Sequence, residues 1–268
     1  MIDWLDLDKH RRKLRPQEVD NSIIENTWNA KGPWYSDEGE DGVLAYIFNN
    51  IVYSNGDLYE QHKFAVDLGS AHGYGGSNVR HLVDKYGWDS CEIDVSKKWG
   101  KIHPRVINKF IDRDTICDTL TENGTPKNFD LLSLDIDSMD WYVLERLLEG
   151  GWKPTLTILE FNPIFKHDES YIVKYNRDFK KNNTSNYGAS ARAFEILLNK
   201  YNYSFVWGTQ LPANNIVFVS NNIIGDSPTL HLKDFHSKPW YESNKIHGEV
   251  DIKKRRKELM EVVFEKYK

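Results

Sequence analysis

Strand-like apolar runs and helix-like stretches alternate along most of this chain, and that alternation limits its possible folds more than any other feature. "KFAVDLG" precedes "GSNVRHLVDKYG"; "WDSCEID" is followed by "HPRVINKFID", "NFDLLSLDID" by "SMDWYVLERLLEG", and "PTLTILEFNP" by "GASARAFEILLNKY". Strands separated by helical segments predict βαβ units, and so a mostly parallel sheet with helices on both faces, an α/β architecture. Two further runs, "YSFVWGTQ" and "NNIVFVSNN", lie close enough in sequence to pair antiparallel at the C-terminal side of that sheet. Ahead of the first strand, Val43, Leu44, Ile47, Phe48 and Ile51 share one helical face. Ser36 and the acids after it suit that helix's start.

At 268 residues the chain suits one large domain with extensions. Residues 1–35 are polar, dotted with Trp and weakly periodic, and read as an N-terminal extension; 36–225 hold the alternating pattern. Residues 226–268 are a C-terminal extension ending in "IKKRRKELMEVVFEKYK", where Ile252, Leu259, Val263 and Tyr267 lie along one helical stripe. Its KKRRK run reads as a solvated helix face. The net charge of −5 argues against a general nucleic-acid binder. No stretch approaches the roughly 18 apolar residues of a membrane span, and the charged N-terminus lacks the apolar region of a secretory signal. Cys91 and Cys117 form neither a disulfide framework nor a CxxC pair, which points to a reducing cytoplasm. The sequons at Asn123, Asn183 and Asn202 are then chance matches.

In open α/β sheets ligands collect beyond the carboxyl ends of the strands. The first strand-to-helix turn reads "DLGSAHGYGG", with Asp67 ahead of glycines 69, 73, 75 and 76. It lacks the G-x-G-x-x-G spacing of a nicotinamide-binding turn. An ordinary tight turn is the plain alternative. The form resembles motif I of S-adenosylmethionine-dependent methyltransferases, in which the glycines meet the amino-acid half of the cofactor and the acid organises its ammonium end. A second acid is expected after the next strand, where a carboxylate can accept two ribose hydroxyls. "SCEID" offers Glu92, with Asp94 close behind.

Three further blocks, "YSDEGEDGVLAYIF", "FDLLSLDIDSMDWYVLERL" and "LTILEFNP", resemble the successive blocks of FkbM-type methyltransferases over about residues 34–220. Family members typically carry D-V-E-G after the strand, where this chain has Asp135-Ile136-Asp137-Ser138. The resemblance implies a Rossmann-like class I methyltransferase fold over 36–225. It also implies S-adenosylmethionine as cofactor, held by Asp67, Gly69, Ser70, Gly73, Asn78, Glu92 and Asp94. The implied activity is O-methylation of a sugar, nucleotide sugar or other polyhydroxylated small-molecule or glycan acceptor. A catalytically silent cofactor- or glycan-binding protein and a dinucleotide-dependent oxidoreductase are the alternatives, and homo-oligomerisation stays open.

"SLDIDSMD" sets three carboxylates at a strand end, and Asp135 and Asp137 share strand parity. Packed acids are unfavourable unless a cation, donor or shared proton compensates, so a ligand explains this pair better than solvation does. Asp140 reads as a cap of the following helix. Asp135, Glu160 and Asn162 are hard oxygen ligands suited to Mg²⁺ or Mn²⁺; alternatively Glu160 and Asn162 bind the acceptor or the loop backbone. Asp135, Asp137 and His167 are the candidate catalytic groups, His167 because an imidazole titrates near neutrality; the plain reading is a surface loop histidine. The long stretch from Ile164 to Tyr187 reads as a lid whose Tyr171, Tyr175 and Tyr187 stack on sugar faces, or else belong to the core.

Overall fold

The computed structural model describes residues 2–14, 35, 36, 38–51, 61–95, 102–179, 186–209, 214–235, 257, 260 and 262–268. Helix α1 (Glu40–Asn50) leads into β1 (Phe64–Leu68), α2 (Arg80–Tyr86), β2 (Asp89–Asp94), β3 (Val106–Asn108), α3 (Ile116–Glu122) and β4 (Asn128–Leu134). There follow α4 (Asp140–Glu149), β5 (Lys153–Glu160), β6 (Tyr171–Val173), α5 (Ala191–Lys200), β7 (Tyr203–Gly208), β8 (Asn215–Ser220), the single turn α6 (Asn221–Ile224) and β9 (Phe264–Lys266).

Seven strands form one sheet in the order β3-β2-β1-β4-β5-β8-β7. Strands β1 to β5 pair parallel, and β8 runs antiparallel to both β5 and β7. The fold is α/β and Rossmann-like, with the antiparallel strand pair that the sequence predicts. Side-chain parity divides two cores between the faces. Ala65, Leu131, Leu156, Ile158, Val217 and Val219 pack with α1 and α2. Val66, Leu68, Leu132, Leu134, Ile216 and Phe218 pack with α3, α4 and α5. Each large apolar side chain sealed in this way contributes about 1.5–3 kcal/mol. Both-face burial is why β4 and β8 read as apolar runs and not as alternating patterns.

Residues of the expected N-terminal extension join the first of these cores, with Ile2, Trp4 and Leu7 buried in it. Ser36 and Asp41 exchange hydrogen bonds at the start of α1: Asp41 N donates to Ser36 Oγ (3.3 Å) and Ser36 N to Asp41 Oδ2 (3.0 Å). No helix among the described residues is long and apolar enough to cross a membrane.

Two local expectations are corrected. "HPRVINKFID" is not helical: its β-branched Val106 and Ile107 extend the sheet as the edge strand β3, in register with Glu92 and Ile93. The helix of that unit lies further on, at Ile116–Glu122, where polar residues blur the apolar period. Of the terminal helix expected near 252–267, the described residues Lys257, Met260 and Val262 are helical, while at its far end the chain is extended. There β9 pairs antiparallel with β6, joining Tyr171 to Lys266 and Val173 to Phe264 in a second, two-stranded sheet.

Candidate functional site

The strand order reverses between β1 and β4, and polar side chains gather at the carboxyl ends of the strands there. Asp67, Glu92, Asp94, Ser133, Asp135 and Glu160 all share the parity of the residues that face α1 and α2. In register, Asp67 stands beside Glu92 on one side and Ser133 on the other. The pairing of Leu134 with Leu159 then brings Asp135 next to Glu160.

The glycine turn is shaped first by its own chain. Gly69 has φ +95°, and a Cβ built on it would lie 1.7 Å from the Asp135 carbonyl oxygen. Gly73 has φ +74°, and its Cβ would lie 2.5 Å from Val106 Cγ2 and 2.8 Å from His103 Cβ. Both positions therefore need glycine for conformation and for close approach of neighbouring backbone and side chains. Ser77 ends the turn and prepares α2: its hydroxyl donates to Asp67 Oδ2 (2.6 Å) and accepts from Arg80 N (3.2 Å).

Beneath the turn lies a polar layer that sequence reading did not find. Arg80 is 2% exposed, and its guanidinium pairs with the fully buried Glu92. Ser90 Oγ donates to the other Glu92 oxygen (2.6 Å). Glu92, expected to receive ribose, therefore has both oxygens engaged inside the protein. Asp94 stands two residues further along the same face, at the strand's end and half-buried, where it accepts from Ala71 N of the turn (2.9 Å). Asn78 Nδ2 donates to Ser133 Oγ (3.3 Å). Ser70 Oγ is buried with no hydrogen-bond partner among the described residues. Burial, with the neighbouring Glu92 charge adding to it, raises Asp67 to about 7. Burial and the Arg80 charge push His103 down to about 4.

On the other side of Gly69, Asp135, Asp137 and Glu160 converge, one oxygen of each lying within 4.8 Å of the others. Asp135 is exposed and Asp137 half-buried, while Glu160 Oε2 is sealed from solvent. Glu160 Oε1 accepts from Asn214 Nδ2 (2.7 Å) and from the Tyr187 hydroxyl (3.3 Å). Burial and the charges of Asp135 and Asp137 push Glu160 well above the ordinary glutamate range, so it favours its protonated form. Asp137 has φ +55°, a conformation that non-glycine residues seldom adopt outside specialised turns.

Asp140 holds that turn. Its two carboxylate oxygens accept from Ile136 N and Ser138 N, each at 2.9 Å, on either side of Asp137. Burial raises Asp140 to about 6. Its carboxylate thus fastens the preceding loop, where a cap of the helix was expected. Asn162 is also bound to backbone: its Nδ2 donates to Tyr187 O (2.9 Å) and its Oδ1 accepts from Ile164 N (3.1 Å). His167 packs against Phe235, with ring centroids 5.6 Å apart.

Of the three lid tyrosines, Tyr187 reaches the acid cluster. Tyr171 stacks on Phe165 (5.2 Å), and Tyr175 meets Tyr142 edge-on (5.1 Å) under the Arg113 guanidinium (4.0 Å). Residues 180–185 of the expected lid lie outside the described residues. A ladder of extended segments supports the cluster's rim. Gly188 N donates to Ser138 O (2.8 Å), Val173 N to Gly188 O (3.0 Å), and β6 pairs onward with β9.

No family model and no curated protein matches the sequence. Among solved structures, the fold is similar to the crystal structure of TnmH, with a TM-score of 0.31 and 12% identity over 67% of this chain and 56% of that one. The chain thus spans just over half the length of that protein.

Proposed function

We propose that the chain is an S-adenosylmethionine-dependent methyltransferase acting on an acceptor hydroxyl, most simply that of a sugar or another polyhydroxylated molecule. The observation that carries this reading is the contact of Gly69 with the Asp135 carbonyl. It puts a glycine turn of methyltransferase form beside an acid cluster, at the sheet's switch point. Asp94 at the end of β2 is the group suited to ribose hydroxyls, and the orphaned Ser70 hydroxyl is a polar atom awaiting a partner. The cofactor supplies an electrophilic methyl group when bound.

The chain's own residues then position the acceptor and manage its proton. Asp135 and Asp137 accept hydrogen bonds from acceptor hydroxyls, and either can take the proton of the attacking one. Protonated Glu160, fixed by Asn214 and Tyr187, has a hydrogen to donate. Much of the acceleration comes from holding the reactants at attack distance.

A second reading rests on the convergence of the three carboxylates within 4.8 Å, which suits Mg²⁺ or Mn²⁺. Asp135, Asp137 and Glu160 would hold the ion; the Asn162 amide is already bonded to backbone. Activity that persists in excess chelator removes this reading, and activity restored by Mn²⁺ supports it. The methyltransferase reading itself is tested by calorimetry with S-adenosylmethionine, S-adenosylhomocysteine and NAD, followed by turnover on a panel of sugars and nucleotide sugars. Binding of NAD alone would make the protein an oxidoreductase. Binding of the sulfonium without turnover on any acceptor would leave a silent binder.

A further inference from the structure

We propose that Asp67 and Glu92, buried side by side with a single guanidinium, Arg80, paired to Glu92, are one cation short, and that the cofactor's α-ammonium supplies it, so that cofactor binding expels a proton from Asp67. This rests on the reading of the glycine turn as an S-adenosylmethionine site. The geometry is simple. Asp67 and Glu92 occupy matched positions on adjacent parallel strands and are 2% and 0% exposed.

The charged and titratable groups around them can be named element by element. From β2 comes Glu92. From α2 comes Arg80, which pairs with Glu92 and also lies 3.7 Å from Asp84 at the helix's outer edge. From the segment before β3 comes His103, held neutral near pH 7 by burial and Arg80. From β4 comes Ser133, which carries no charge.

Arg80 is therefore shared between two acids other than Asp67. Asp67 has the Ser77 hydroxyl as donor (2.6 Å) and no cation bonded to it among the described residues. A buried carboxylate in that position is driven to keep its proton, and Asp67 is accordingly raised to about 7. A ligand ammonium near the turn shifts the balance to the carboxylate, and the proton leaves to the buffer. The empty site is then close to half-charged at neutral pH, and the filled site is charge-balanced.

The test is calorimetry on the full chain at pH 6.5 in buffers of different ionisation enthalpy, a pH at which the cofactor amine is still protonated. Three probes are compared: S-adenosylmethionine, S-adenosylhomocysteine, and 5′-methylthioadenosine, which lacks the amino-acid half. The first two are expected to release about three quarters of a proton per site, and the third none. Affinity for S-adenosylhomocysteine should tighten about fivefold from pH 6 to pH 7, while that for 5′-methylthioadenosine stays flat.

Asp67→Asn should abolish both the release and the pH dependence, which a purely structural role would not do. Should that variant fail to fold, Glu92→Gln decides: removing the neighbouring charge should move the midpoint of release to lower pH. Binding of S-adenosylmethionine without proton release, or equal release with 5′-methylthioadenosine, overturns the proton coupling and leaves the methyltransferase reading standing. Absence of S-adenosylmethionine binding by the folded chain overturns both.

Discussion

Gly69 lies so close to Asp135 that a methyl group added at its Cα would stand 1.7 Å from the Asp135 carbonyl oxygen. Asp135 N in turn donates to Leu68 O (2.9 Å), so a backbone hydrogen bond fastens the two loops beside this approach. The turn proposed for the cofactor and the acids proposed for the acceptor thus share one backbone contact.

That contact sets the first expected outcome. Gly69→Ala should destabilise the fold by roughly 3 kcal/mol or more, from the left-handed φ and the collision together, and should weaken S-adenosylmethionine binding in parallel. Gly87→Ala is the control, because Gly87 has a similar φ of +67° and open space around its Cβ position. It should cost about 1 kcal/mol and leave binding alone. Urea denaturation with cofactor titration checks both. Equal effects of the two changes would mean that the approach to Asp135 is unimportant.

The Arg80–Glu92 pair should behave as a buried ion pair. Arg80→Met leaves a fully buried carboxylate without its cation and should cost about 3–5 kcal/mol. Arg80→Met with Glu92→Gln should recover most of that loss, because no charge is then left unpaired. Chemical denaturation of the single and double variants measures the coupling. A double variant no more stable than the single one would contradict it.

Asp140 should matter more to the loop before it than to its own helix. Asp140→Ala removes the acceptor of two backbone N–H groups, and is expected to cost about 2 kcal/mol. Amide exchange at Ile136 and Ser138 should quicken much more than exchange within α4. Uniform quickening along α4 would restore the helix-cap reading.

The ligand-free protein should lose stability as pH rises from about 5 to 7. Burial keeps Asp67 (about 7), Asp140 (about 6) and Glu160 protonated in the fold above the pH at which the unfolded chain releases those protons. Between these limits the folded state binds more protons, so stability falls with pH, at roughly 1.4 kcal/mol per unit for each net proton. His103, lowered to about 4, acts in the opposite direction below its ordinary value. His10, also lowered by burial, adds to His103, but the buried Glu40 and the half-buried Glu145 are raised alongside the three carboxyls, so the fall stays in place. Thermal melts across this range check it; a melting temperature that climbs steadily would refute it.

The strands β1, β4, β5, β7 and β8 were legible as apolar runs bounded by turn residues, and β2 through Cys91 and Ile93 alternating with polar residues. Strand β3 was not, since three residues beside Lys and Pro carry no period. The β6–β9 pair joins segments far apart in sequence, and no local pattern announces such a partner. Within the candidate site, Asp135 and Asp137 do come together, but in a turn rather than by strand parity, since β4 ends at Leu134 and Asp137 has φ +55°. The role of Glu92 was harder to read. Its partner Arg80 is visible only once the face that α2 turns toward the sheet is known. Ser77, three residues ahead of Arg80, did carry a helix-start signal that could have been used.

The ladder from β9 through β6 to Gly188 and Ser138 also has a consequence in time. A ribosome adding about 5–20 residues per second makes the glycine turn early and reaches Phe264 only after Val173 has waited on the order of ten seconds for its partner. During that interval the main sheet can already be assembled while the wall beside the acids lacks its outer strand. The nascent chain therefore completes the glycine turn before the wall beside the acids, and a folding chain stalled before Phe264 would expose β6 as an unpaired edge.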